Sequence, residues 1–231
     1  MTAAGVQIPA PGNVPAAAAG TRRELVSGGW RVARLYLVSR RVPLAVLLLA
    51  GLGGALWAAL HWRWNIVGGP AARDFIPLTI QAGAAAVIAV TTYGPFGEPE
   101  RATGRWLPGL RLGAAVGLTV VAFGLLAAGA SAGALPGGDL ALLRDIGGLA
   151  GIGLLSAAVI SGAFGWVGPM AYLLVTEGAL AHRSPTPWIW PGRLPQDRGG
   201  ALCAGLVLAA GLVLITARGP RERGREPGPA S

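Results

Sequence analysis

The chain has 231 residues, 53% of them hydrophobic, a mean hydropathy of +0.56 and a charged fraction of 13%, about half the globular norm. Its charges cluster between uncharged windows of about 20 residues, which excludes an ordinary water-soluble domain and leaves length for one membrane domain only. The net charge of +9 does not point to nucleic acid, because the nineteen basic residues, all Arg, border hydrophobic segments instead of forming a basic face with interleaved aromatics.

Abundant Gly and Ala and the absence of Lys suggest a GC-rich bacterial genome, and with it a bacterial plasma membrane. Cys203 stands alone in an apolar segment, so it reads as a small buried hydrophobe and no disulfide framework can form within one chain. His61 and His182 are isolated, and no HExxH, CxxC or paired-carboxylate spacing occurs, so neither a catalytic metal nor another cofactor is expected.

Residues 1–22 begin with an Ala, Pro and Gly stretch that has no period, and are read as a disordered tail. The first strongly apolar segment starts near Val42, too late for a signal peptide. Next comes "RRELVSGGWRVARLYLVSRR" (22–41), where a helical wheel puts Val26, Trp30, Ala33 and Leu37 on one stripe and Arg23, Arg31, Arg34 and Arg41 beside it. From Trp30 onward this predicts an amphipathic helix on the cytoplasmic face, feeding the first span through an "RRVP" corner in which Pro43 suits a helix start. A basic flank that only orients the first crossing is the alternative.

Four spans follow directly from hydrophobicity: 43–60, 75–93, 110–132 and 201–217. "WAALHWRW" (57–64) ends the first as an interfacial aromatic belt would. Small residues four apart, at Gly113 and Gly117, Gly129 and Gly133, and Gly147 and Gly151, are read as helix packing.

Between the third and last spans, 146–176 carries no charge for 31 residues, about 46 Å as a single helix and too long for the bilayer core. The 42 residues of 140–181 suffice for two spans of about 18 with a tight turn. Gly162, Gly165, Gly168 and Pro169 within and beside "AFGWVGPMAY" (163–172) supply the breakers, and Trp166 suits an interface. Arg144, Asp145 and Glu177 are then expected at the outer ends of neighbouring helices. Charge supports this reading: six spans put thirteen Arg inside against six outside, whereas five spans give twelve against seven. The expectation is an all-α polytopic membrane protein with six transmembrane helices and an N-terminal amphipathic interfacial helix. The membrane domain covers 23–218, a disordered basic tail 219–231, and both termini are cytoplasmic.

Two connections stand out. The inner loop "YGPFGEPERATGRW" (93–106) is rich in Gly, Pro and opposite charges, and the outer stretch "HRSPTPWIWP" (182–191) has the makings of a re-entrant or interfacial segment carrying Trp188 and Trp190. With "GWRVARLYLVSRR" (29–41), this order of parts, over about residues 24–218, resembles the permease subunits of ABC type-2 exporters. The resemblance implies an amphipathic connecting helix carrying Trp30, Arg31, Arg34, Leu37 and Arg41. It implies a coupling helix in the inner loop, with Glu98, Glu100, Arg101 and Arg105 as polar docking contacts and Phe96 or Trp106 as apolar anchors. It also implies short re-entrant helices before the last span, a second permease chain as homodimer or heterodimer, and a separate ATPase subunit. The chain has neither a GxxxxGK[ST] sequence nor any Lys, so ATP would be held by that partner.

Polar residues within the spans are few, Gln81 and the hydroxyls of Thr79, Thr91, Thr119, Ser156 and Ser161 among them, which argues against a proton-coupled carrier and suits an apolar or amphipathic cargo. Gln81 either lines a pathway or bonds one helix to another. Two rivals stand beside export: a membrane-embedded enzyme using His61, His182, Glu177 and Asp197 on the outer face, and a non-transporting scaffold or regulatory subunit.

Overall fold

The computed structural model describes residues 37–38, 41–62, 69–92, 107–131, 133, 135, 137–181 and 188–218. Among these every regular element is a helix: α1 (Val42–His61), α2 (Gly69–Thr91), α3 (Leu107–Ala130), α4 (Gly138–Val159), α5 (Val167–Ala181) and α6 (Arg198–Arg218). Single 3₁₀ turns lie at Gly162–Phe164 and Trp190–Gly192. The amphipathic helix expected from Trp30, Arg31 and Arg34 lies outside the described residues. Leu37 belongs to a helical piece at 37–38, and the corner after it is sharp: Arg41 adopts the left-handed region at φ 55°, with Pro43 in the first turn of α1.

The uncharged stretch is two helices. α4 ends at Val159, Ser161 is fully extended, and its hydroxyl accepts from the Ala163 amide as the chain turns. Phe164 donates to the Ser161 carbonyl at 2.9 Å, and α5 begins two residues after Gly165 with Pro169 in its first turn. Two glycines make the turn compact. A Cβ at Gly165 would lie 2.9 Å from the Ala89 Cβ on α2, and one at Gly168 would collide with the Ser156 hydroxyl on α4. The two helices have 22 and 15 residues, not two nearly equal spans.

Four helices are long and apolar enough to cross a membrane: α1, α3 from Pro108, α4 and α6. Their outward faces carry Leu47, Val120, Leu206 and Val213, each about two-thirds exposed, an apolar surface suited to lipid. The chain is thus marked as a multi-pass membrane protein. α2 has a shorter apolar portion, Phe75–Thr91, and α5 at 15 residues is about 22 Å long, less than the hydrocarbon core.

α4 is the hub. Of its most apolar window 72% is buried, against 28%, 28% and 22% for α1, α3 and α6. It packs on α2, α3, α5 and α6, with Leu142, Ile146, Leu149, Ala150, Leu154 and Ala157 all closed to solvent. Glycine lets backbones touch at two crossings. On α4, a Cβ at Gly151 would sit 2.6 Å from the Leu208 backbone of α6, and one at Gly211 would sit 2.7 Å from the Gly151 carbonyl. On α1, a Cβ at Gly53 would lie 2.7 Å from the Leu125 carbonyl of α3, and Gly129 faces the Gly53 carbonyl in return. Gly113 and Gly117, by contrast, face open space, so only some of the four-spaced small residues serve packing within the chain.

Helix direction alternates. Leu60 meets Gly133 beyond the end of α3, and Pro195 meets Gly137 before α4, while Gly165 meets Ala89 at the other end. Forcing a side chain into a crossing should therefore loosen the bundle: Gly151→Val or Gly53→Val is expected to cost about 1–3 kcal/mol and to lower the thermal midpoint in detergent. Gly117→Val should leave that midpoint unmoved.

Candidate functional site

The residues with most chemistry meet where α4, α5 and α6 converge, around a strap formed by 188–197. A mostly apolar sequence with Pro191 and Pro195 cannot continue a helix, and the single turn at Trp190–Gly192 reverses it into the bundle. Trp190 is 2% exposed and its ring stacks on Tyr172 of α5 at 4.6 Å and 20°. The Tyr172 hydroxyl donates to the Trp188 carbonyl at 2.7 Å. The indole also lies against Gly148 of α4, where a Cβ would be 2.5 Å from Trp190 Cζ2. Gly148 lies ten residues beyond the start of α4, about 15 Å along its axis, and Tyr172 nine residues before the end of α5, about 13 Å. The Trp190 side chain therefore reaches well below the helix ends, and makes the strap a wedge.

A buried guanidinium holds it there. Arg144, in the second turn of α4, donates from Nη1 to the Leu194 carbonyl at 3.0 Å and from Nη2 to the Arg193 carbonyl at 3.3 Å. Its Nε donates to Asp145 Oδ1 at 3.1 Å, with the two side chains 3% and 9% exposed. Two nitrogens of one planar fork thus tie α4 to the strap, while the third pairs with the neighbouring carboxylate and balances the charge. An unpaired charge at this depth would be very costly, so the arrangement is self-consistent only as a set. The strap's far end is secured by Asp197, which accepts from the Gly200 amide at 2.9 Å as the cap of α6 and pairs with Arg193 at 3.6 Å. Trp190 Nε1–H finds no acceptor among the described residues, a cost of about 1–3 kcal/mol for a buried donor.

Of the predicted segment, Trp190 is inside and Trp188 is 44% exposed. Arg144 and Asp145 correct the expectation of charges at an outer helix end: both are buried in the bundle. The signal for them was "LPGGDL" (135–140): Gly137 and Gly138 have positive φ, so α4 starts there and Asp139 falls in its first turn. That start puts Arg144 inside the helix.

Gln81 is 4% exposed on α2, and its amide oxygen has no hydrogen-bond partner among the described residues, so it forms no helix-to-helix bond through that atom. Four of the span hydroxyls are occupied locally, whereas that of Thr176 on α5 is buried with no hydrogen-bond partner among the described residues. Thr79, Thr91, Thr119 and Ser156 donate to carbonyls three or four residues back on their own helices, and line no shared polar track.

Phe96, Glu98, Glu100, Arg101, Arg105 and Trp106 lie outside the described residues, as does His182. His61 ends α1 stacked on Trp57 at 4.7 Å, and Arg41 is exposed at the α1 corner. Among the described residues no three His, Cys, Asp or Glu side chains come together in a way that could hold a metal ion. No protein-family model, curated protein or solved structure matches the chain.

The Arg144–Asp145 pair makes a sharp energetic prediction. Arg144→Met or Asp145→Leu alone leaves a buried charge uncompensated and should cost about 3–5 kcal/mol, whereas the double variant should recover a large part of that loss. A double-mutant cycle by denaturant titration in detergent measures the difference.

Proposed function

We propose that this chain is the permease subunit of a bacterial ATP-driven exporter, crossing the plasma membrane six times with both termini in the cytoplasm. The observation that carries the reading is the wedge at 188–197, which enters the bundle between the last two helices, where the resemblance to ABC type-2 permeases calls for re-entrant structure. Supporting it are the break between α4 and α5, which raises the helix count to six, and the corner at Arg41, which separates the preceding segment from α1. In this reading α5 spans a bilayer locally thinned or covered by its neighbours. Cargo, apolar or amphipathic, passes between two copies of the chain and not through one, because α4 fills the middle of the bundle. ATP is bound and hydrolysed on separate subunits that push on the loop 93–106.

A second reading, a non-transporting scaffold or regulatory subunit, draws on the same closed interior: locally bonded hydroxyls and glycine-tight crossings form no polar route.

Two measurements test the proposal. Ala163 is exposed at the α4–α5 turn, whereas Gly165 is packed against Ala89, so the thiol reporter belongs at Ala163→Cys in a Cys203→Ser background. With six spans, a membrane-impermeant maleimide should label it only after the cells are opened; labelling in intact cells would remove the six-span topology. The tagged chain should also co-purify with an ATP-binding-cassette ATPase, and a Glu98→Arg/Arg101→Glu reversal should weaken that association. Recovery of the chain without any ATPase would leave the scaffold reading.

A further inference from the structure

We propose that the 188–197 strap is a movable plug, and that the Arg144 guanidinium is the latch that keeps the Trp190 indole in its slot between α4 and α5. This concerns the chain's own motion and holds for a transporter and a scaffold alike.

Two independent features of the slot carry it. First, the indole fits without being fully satisfied. Tyr172 stacks on its ring and the bare backbone of Gly148 lies against its Cζ2–Nε1 edge, but its N–H has no acceptor among the described residues and is buried with the rest of the residue. Burial of an unpaired donor favours any state in which the donor regains a partner, so the docked position is held against an opposing term.

Second, among the described residues the hydrogen bonds that Arg144 and Tyr172 make to the strap end on main-chain carbonyls: Arg144 to Arg193 and Leu194, and Tyr172 to Trp188. Lifting the strap breaks those bonds while leaving the Arg144–Asp145 pair on α4 intact, so the charge left behind stays balanced. The α4–α6 crossing at Gly151 and Gly211 does not involve the strap, so the bundle can remain packed while the plug moves. Leu194, 77% exposed, and Trp188, 44% exposed, offer apolar handles through which lipid or a partner chain can bias the two positions. Local opening at lower free energy than global unfolding is the general behaviour such a segment shows.

Thiol labelling in detergent micelles, in a Cys203→Ser background, tests this with three single cysteines. Trp188→Cys reports a strap thiol in the open, Ile189→Cys a strap thiol that is 2% exposed when docked, and Leu149→Cys a thiol buried on α4 that opens only with the fold. A movable plug labels at Ile189→Cys more slowly than at Trp188→Cys but about ten-fold or more faster than at Leu149→Cys. Adding Arg144→Lys, which keeps a positive charge beside Asp145 but loses the fork that reaches both strap carbonyls, or Gly148→Ala, which places a methyl against the indole without touching any charge, should each speed Ile189→Cys about ten-fold and leave Leu149→Cys unchanged. Equal rates at the two buried positions in the parent chain, or variants that speed both positions alike, would show that the strap opens only when the whole bundle does and would overturn the proposal.

Discussion

A helix can be surrounded on nearly every side only where its neighbours' backbones can approach it, and α4 meets that condition through Gly148, Gly151 and Gly153. At these positions an added Cβ would strike the Trp190 ring, the α6 backbone and the Ala89 methyl respectively. In a lipid environment apolar surface alone gives helices little reason to associate, so close van der Waals contact at small residues is the main cohesive term. The rest of the bundle is arranged around that central contact. α1 and α3 form their own glycine crossing and join α4 through Leu142, Ile146 and Ala150, while α6 lies along it and leaves its other face to lipid.

The same density explains why a charge can sit there. Arg144 is tolerated because every donor group of its fork has an oxygen partner, one of them the adjacent carboxylate. A buried ion pair of this kind contributes little net stability compared with an apolar pair of equal volume, because desolvation offsets most of its attraction. What it contributes here is position. The carbonyls of Arg193 and Leu194 have one cationic partner, and that partner fixes the depth and register at which the strap enters. Trp190 then fills the space that Gly148 leaves open, and the aromatic stack with Tyr172 closes the third side.

This geometry bears on function by exclusion as well as by resemblance. The hydroxyls of Thr79, Thr119 and Ser156 are bonded to their own helices, and the buried Gln81 oxygen on α2 faces no partner among the described residues. The strap is the element that a conformational change can move at least expense to the core, since its attachments are hydrogen bonds and one ring stack, not interdigitated helix faces.

Hydrophobic length and breaker residues were legible in the chain itself. The spans at 43–60 and 201–217 correspond to α1 and α6 within three residues at each end, and the turn in "AFGWVGPMAY" separates α4 from α5, because apolar run length and helix termination are set by residues a few positions apart. The "RRVP" corner is local in the same way, written in Pro43 and realised in the left-handed Arg41. Which glycines touch was not legible: Gly113 and Gly117 have the same spacing as Gly147 and Gly151, yet only the latter pair lies at a crossing with another helix. Nor was the place of Arg144, whose carbonyl partner at Leu194 is fifty residues away. By itself the sequence determined where the apolar helices lie, which depends on local backbone preference and transfer from water, although α2 begins at Gly69, six residues before the span read at 75–93. The tertiary structure alone decided which charge is buried and which tryptophan becomes a plug, because those outcomes depend on groups that only packing brings together.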